Sequence, residues 1–198
     1  MAFFVAAGII SDKIVRKETR NGVLATFRLE TGAPNNRRLW IDVEAWGQLA
    51  GTVAHHGSVG RGVLVSGRLT YKTWRDRETG DSCHRYVVTA LDVDLRPEGS
   101  EPTLLPSTVV VAGTVETVYP KRPTKRGVVH SFRLVSGRAG SKTGRLWIDV
   151  EHWHRDGASS PALPERAATT VSGQLAYRRR EIGSSEAGFC LRAATLDL

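Results

Sequence analysis

Five tryptophans stand at positions 40, 46, 74, 147 and 153, and four of them frame a nine-residue stretch written twice, RLWIDVEAW (Arg38–Trp46) and RLWIDVEHW (Arg145–Trp153). Eight of the nine residues agree, and the ninth changes from Ala45 to His152. The chemistry open to such a motif is recognition. An indole presents a π face on which any base can stack, worth about 1–3 kcal/mol per base. Basic side chains crowd the neighbouring sequence: Lys17, Arg20, Arg37, Arg38, Lys72 and Arg75 in the first half, and Lys121, Arg122, Lys125, Arg126, Arg178, Arg179 and Arg180 in the second. These are candidate phosphate contacts, since Arg and Lys neutralise a polyanionic backbone. No catalytic residue is assigned, because the chain shows neither a paired-carboxylate pattern nor a nucleophile triad order. No metal set is assigned either: His55-His56 and His152-Trp153-His154 read as surface or helix-end histidines. The stretch SGRAGSKTG (Ser136–Gly144) imitates a phosphate-binding loop, but Ser141 stands where that pattern needs glycine before the lysine.

Read as a strand, the motif sorts by parity. Leu39, Ile41, Val43 and Ala45 fall on one face, the natural barrel core. Trp40, Asp42, Glu44 and Trp46 fall on the other, with the tryptophans about 20 Å apart at roughly 3.4 Å per residue. The second copy sets Leu146, Ile148, Val150 and His152 against Trp147, Asp149, Glu151 and Trp153. His152 therefore enters the core face near a strand end. The two acids seem hostile to a nucleic acid, but in TFRLE the inward Phe27 and Leu29 leave Arg28 outward. Arg28 is placed to pair with Asp42 or Glu44 across strands, and Arg133 with Asp149 or Glu151.

The elements that must carry these residues also repeat. At a spacing of about 106 residues, Gly8 meets Gly113, TFRLETG (Thr26–Gly32) meets SFRLVSG (Ser131–Gly137), VLVSGRLTY (Val63–Tyr71) meets TTVSGQLAY (Thr169–Tyr177), and TALDVDL (Thr89–Leu95) meets RAATLDL (Arg192–Leu198). Residues 1–97 and 108–198 are thus two copies of one domain, joined by a Pro-containing linker, 98–107. The first copy carries 14 basic against 10 acidic residues and the second 14 against 8, so both are basic. Strands are expected at Phe3–Arg16, Gly22–Glu30, Arg38–Trp46, Gly62–Trp74 and His84–Leu95. Leu49, Ala50 and Val53 at helical spacing predict a short helix in Gly47–Gly57. Five strands with a helix between the third and fourth is the layout of an OB-fold, so the expected class is all-β, two tandem five-stranded Greek-key barrels. In the second copy Pro161 and Pro164 disfavour the helix, and a loop or one turn is expected over His154–Thr170.

The 198 residues, 40% hydrophobic and 24% charged, suit two small globular domains. The net charge of +8 suits a polyanionic partner. No run reaches the roughly 20 apolar residues of a spanning helix. MAFFVAAGII at the start lacks the basic region of a signal peptide and reads as a strand. A cytoplasmic protein without membrane association is expected, with Cys83 and Cys190 as reduced thiols.

The stretch Leu39–Gly80 resembles the bacterial single-stranded-DNA-binding protein family: a tryptophan, then five residues and an aromatic before G-x-L-A, a short helix, G-x-x-V-x-V-x-G-R-L in its Gly60–Leu69 form, then a tryptophan followed by D-x-x-x-G. The resemblance covers nearly all of the first copy; the second shares the strand core and TVSGQLAY. It implies an OB-fold that wraps single-stranded DNA, with no catalysis, no cofactor and no small-molecule substrate. Residue by residue, Trp40 matches the family's tryptophan opening the third strand, Trp46 its aromatic before the glycine, and Trp74 its tryptophan on the fourth strand. Trp147 and Trp153 match the first two positions in the second copy, where Arg180 stands at the third. An aromatic that many members carry in the loop between strands two and three is absent from ETGAPNNRR (Glu30–Arg38). The family usually ends in a disordered linker with an acidic, hydrophobic recruiting tip; the sequence stops at Leu198 on the last expected strand, and if that is the whole chain the recruiting function is in doubt. Tandem members dimerise to reach four barrels, so a homodimer is implied, with first strands such as Phe3–Ile10 and Val109–Val115 as pairing surfaces. The alternative reading is an OB-fold protein-interaction or primosome-like module in which one tryptophan face docks a protein.

Overall fold

The computed structural model describes residues 1–125, 127–137, 145–154, 163–178 and 188–197. The chain forms two compact units, one of residues Phe3–Ser107 and one of Thr108–Leu198 with Met1–Ala2. The first contains β1 (Ala2–Ile10), β2 (Val15–Thr19), β3 (Gly22–Ala33), β4 (Arg37–Trp46), α1 (Gln48–His56), β5 (Gly62–Arg75) and β6 (Ser82–Leu95). Going around the sheet, β3 pairs with β4, β4 with β6, β6 with β5, β5 with β1, and β1 again with β3. That circuit closes a five-stranded barrel with its one parallel pairing between β4 and β6, the OB-fold expected from the sequence. The core is what alternation demanded: Leu39, Ile41, Val43 and Ala45 are buried on β4, against Phe4, Phe27, Leu29, Val65 and Val88 from the other strands.

The second unit repeats the circuit with β7 (Thr108–Val118), β8 (Arg122–Thr124), β9 (Gly127–Ser136), β10 (Leu146–His154), β11 (Ala168–Arg178) and β12 (Gly188–Asp197). Here β9, β10, β12, β11 and β7 pair in turn and β7 returns to β9. The parallel pair is β10–β12, and Phe132, Leu134, Ile148, Val150, Leu175 and Leu191 fill the interior.

Three sequence expectations change. The first expected strand, Phe3–Arg16, is broken into β1 and β2. The Ser11 amide still donates to the Arg28 carbonyl (2.9 Å), extending the β1–β3 ladder, and the Lys13 amide then donates to the Asp12 carboxylate (2.7 Å), a local bond where the chain leaves the strand. Lys17, which lies between the first two expected strands, stands on β2, and Arg122 stands on the short strand β8. The expected loop Glu30–Arg38 shrinks, because β3 runs on to Ala33 and β4 begins at Arg37. Asn35 and Asn36 take left-handed conformations (φ 64° and 54°), which asparagine tolerates, and so close a tight hairpin. The helix arrives as expected: α1 packs on β3, β4 and β6 and buries Ala50 and Val53. In the second unit residues 163–167 form a turn region without helix, and 155–162 lie outside the described residues. Within the 98–107 segment the Leu105 carbonyl accepts from the Gly32 amide (3.2 Å) and the Thr31 hydroxyl (2.6 Å).

The glycines that aligned the repeats explain why it aligns. A Cβ on Gly8 would overlap the Glu30 carbonyl oxygen, and one on Gly113 the Val135 carbonyl oxygen. Gly67 and Gly173 sit at the β-bulges of β5 and β11, where a Cβ would overlap the carbonyls of Thr89 and Arg192. Each barrel bends its strands together at the same two places.

Candidate nucleic-acid interface

On β4 the outward residues are the tryptophans and acids of the motif. Trp40 is 49% exposed and Trp46 half-buried. Across the hairpin, Glu30 faces Trp40, Arg28 faces Asp42 and Thr26 faces Glu44. Arg28 Nε donates to Asp42 Oδ1 at 3.2 Å, and in the second unit Arg133 Nε donates to Asp149 Oδ1 at 2.8 Å. Both pairs are those the alternation assigned. A shallow cleft runs over this face, lined by Lys13, Thr26, Arg28, Asp42, Glu44 and Arg85 among others.

The long hairpin β5–β6 rises beside that face and carries Trp74, 44% exposed, near its end. Its tip is shaped by Asp76, whose carboxylate accepts from the Glu78 and Thr79 amides (2.8 and 3.0 Å). Those backbone bonds, Thr79's first, hold its pKa below the usual carboxylate value. The Arg85 guanidinium lies 5.5 Å from the Trp74 ring centroid and donates to Asp42 Oδ2 at 3.0 Å. On the other side of the hairpin Tyr71 stacks on His84 (5.3 Å) and meets Tyr86 edge-on (5.1 Å).

In the second unit Trp147 is half-buried and Trp153 is 40% exposed, with the Arg192 guanidinium 5.8 Å from its ring. Three imidazoles gather behind this strand: His154 meets His152 at 4.2 Å and His130 at 4.8 Å between centroids. His130 is buried, and His152 Nδ1 finds no hydrogen-bond partner among the described residues. Burial lowers the pKa of both, helped for His130 by Lys121 and the other two rings and for His152 by His154. His152 is thus packed against other histidines, not merely at a strand terminus.

The basic residues divide into exposed and engaged. Lys17, Arg20, Arg37, Arg75, Lys121 and Lys125 are exposed. Lys72 Nζ is held by both oxygens of the buried Glu44 at 2.6 Å, Arg38 pairs with Glu30, and Arg122 lies 3.7 Å from Glu151. Arg178 ends β11, while Arg126, Arg179 and Arg180 lie outside the described residues. Sequence reasoning missed Arg85. Its outward parity on β6 was readable, but the register that sets it against both Asp42 and Trp74 was not.

Residues 2–96 match the Single-strand binding protein family. The chain is 32% identical over 89 residues to Single-stranded DNA-binding protein 1 of Chlorobaculum tepidum, an alignment over 40% of this chain and 55% of the relative. It is 34% identical over 64 residues to the Single-stranded DNA-binding protein of Helicobacter pylori, over 32% of this chain and 35% of the relative. The match thus spans about half or less of the length of these relatives. The crystal structure of wild-type single-stranded DNA binding protein from Thermus aquaticus is similar in fold, with a TM-score of 0.73 at 20% identity over 100% of this chain and 92% of that one. On these likenesses residues 2–96 are similar to the single-strand binding protein family, and the chain has a tandem OB-fold of the kind seen in the Thermus aquaticus protein.

Proposed function

We propose that this chain binds single-stranded DNA without catalysis and with little sequence preference, protecting or organising exposed strands during replication, recombination or repair in the cytoplasm. Trp40, Trp46, Trp74, Trp147 and Trp153 serve as base platforms. Lys17, Arg20, Arg37, Arg75, Lys121 and Lys125 are the phosphate contacts most open to solvent, with Arg38, Lys72, Arg122 and the 178–180 arginines completing the set. The observation that carries this reading is that Trp40, Trp74 and Trp153 keep 40–49% of their surface exposed on a basic OB-fold. Indoles left in water on a barrel's outer face are otherwise a cost. The names of the relatives support it, and each unit acts as one OB domain, two per chain and four in a homodimer.

Titration with oligo-dT should quench the tryptophan fluorescence. Affinity should fall with salt, with a log–log slope of about −0.7 per phosphate contacted. Quenching that is absent at low salt overturns the reading. Alanine at Trp40, Trp46 or Trp74 should weaken binding more than alanine at Trp147 or Trp153; equal losses would contradict the first unit being the stronger binder. A second reading, protein docking by the second unit, draws on the exposed Tyr177 beside Phe189 at the end of the β11–β12 pair. It gains if Trp153→Ala leaves dT binding untouched.

A further inference from the structure

We propose that Arg85 is a positioning residue for Trp74, anchored by Asp42, so that the indole is held as a base platform before any strand arrives. The proposal rests on the single-stranded-DNA reading above. Trp74 stands on the exposed end of a two-stranded arm, where an indole would otherwise sample several rotamers. The Arg85 guanidinium is fixed on one side by Asp42 Oδ2 at 3.0 Å and lies 5.5 Å from the ring centroid on the other. Asp42 is held in turn by Arg28 Nε at 3.2 Å. The chain Arg28–Asp42–Arg85–Trp74 runs from the barrel wall to the arm. It gives the motif's first acid a task beyond its partner on β3.

The second unit supplies an independent observation. Asp42 is opposite Val87 and Asp149 is opposite Cys190; Lys72 is opposite Arg85 and Arg178 is opposite Gly188. The counterpart of Arg85 is therefore Gly188, and the counterpart of Trp74, two residues past Lys72, is Arg180. The platform and its clamp are lost together. Asp149 is kept, and there it accepts from Arg133 and from the Tyr119 hydroxyl at 3.3 Å.

An exposed cation–π contact is worth roughly two- to fivefold in an equilibrium, and a preordered side chain avoids an ordering cost on binding. Three measurements on the full chain test the clamp. In a variant whose other four tryptophans are phenylalanine, Arg85→Ala should lower the fluorescence anisotropy of Trp74 in the DNA-free protein, and Arg85→Lys should restore part of it. Asp42→Asn should weaken oligo-dT binding about threefold with the salt slope unchanged. This is the opposite sign from removing a negative charge beside a polyanion. In a Trp74→Ala background the same substitution should have no further effect. Unchanged anisotropy in Arg85→Ala, or tighter binding with a steeper slope in Asp42→Asn, overturns the proposal. If the unaltered chain shows no quenching by dT, the single-stranded-DNA reading fails instead, and the anisotropy measurement still judges the clamp.

Discussion

Glu44 shows how much a single carboxylate can decide. It is 5% exposed, and the Lys72 ammonium bridges both its oxygens at 2.6 Å. A buried carboxylate left without its cation is costly, about 3 kcal/mol. Lys72→Ala should therefore lower the unfolding free energy by that amount in urea titrations, and Glu44→Gln added to it should recover part of the loss. An unaltered denaturation midpoint would show that the Lys72–Glu44 contact adds nothing to stability. The second unit serves the equivalent Glu151 differently, with Arg122 at 3.7 Å and Arg192 at 3.9 Å. The Arg28–Asp42 pair was legible in the sequence because one hairpin joins β3 to β4 and alternation alone sets both side chains outward. The Glu44–Lys72 and Arg85–Trp74 contacts were not. They depend on how β5 and β6 return after the helix, and no local pattern encodes that register.

Among the elements, the strands were legible from their period of two and α1 from Leu49, Ala50 and Val53. The break between β1 and β2 was not, because it comes from a local bond at Asp12 that competes with an otherwise apolar run. The bulge glycines carry the sharpest test at this scale. Gly67→Ala or Gly173→Ala must push the added methyl into a backbone carbonyl, at about 3 kcal/mol. Thermal melts should drop in both variants. A stable Gly67→Ala would mean that the strands can separate at the bulge without opening the barrel. The histidines belong to this scale too. His130 and His152 occupy positions equivalent to Ala25 and Ala45, both fully buried in the first unit.

For the whole molecule, the +8 charge and two basic OB units suit a long polyanion, and solution mass measurement should give twice 21.6 kDa if the proposed dimer forms. Acid should act mainly through the second unit. His130 and His152 have folded pKa values below the ordinary 6.5, so on acidification the unfolded chain takes up protons first. Stability is then fully present above about pH 6.5 and falls as the pH drops toward the lowered values. Calorimetry from pH 7.5 to 5 should show a falling Tm, with a shallower fall in His152→Ala; equal slopes would remove the histidines from the account.

The single difference between the twin strands has a consequence for folding itself. Near-identical strands in one chain invite exchange between domains as they form. Ala45 is fully buried on β4, a strand on which α1 packs, and an imidazole there would have to displace that packing. The glutamates would also change cations, from Lys72 on β5 to Arg122 on β8 and Arg192 on β12. One side chain in nine therefore works as a one-way key, and the chain repeats a strand without giving it two equivalent places to dock.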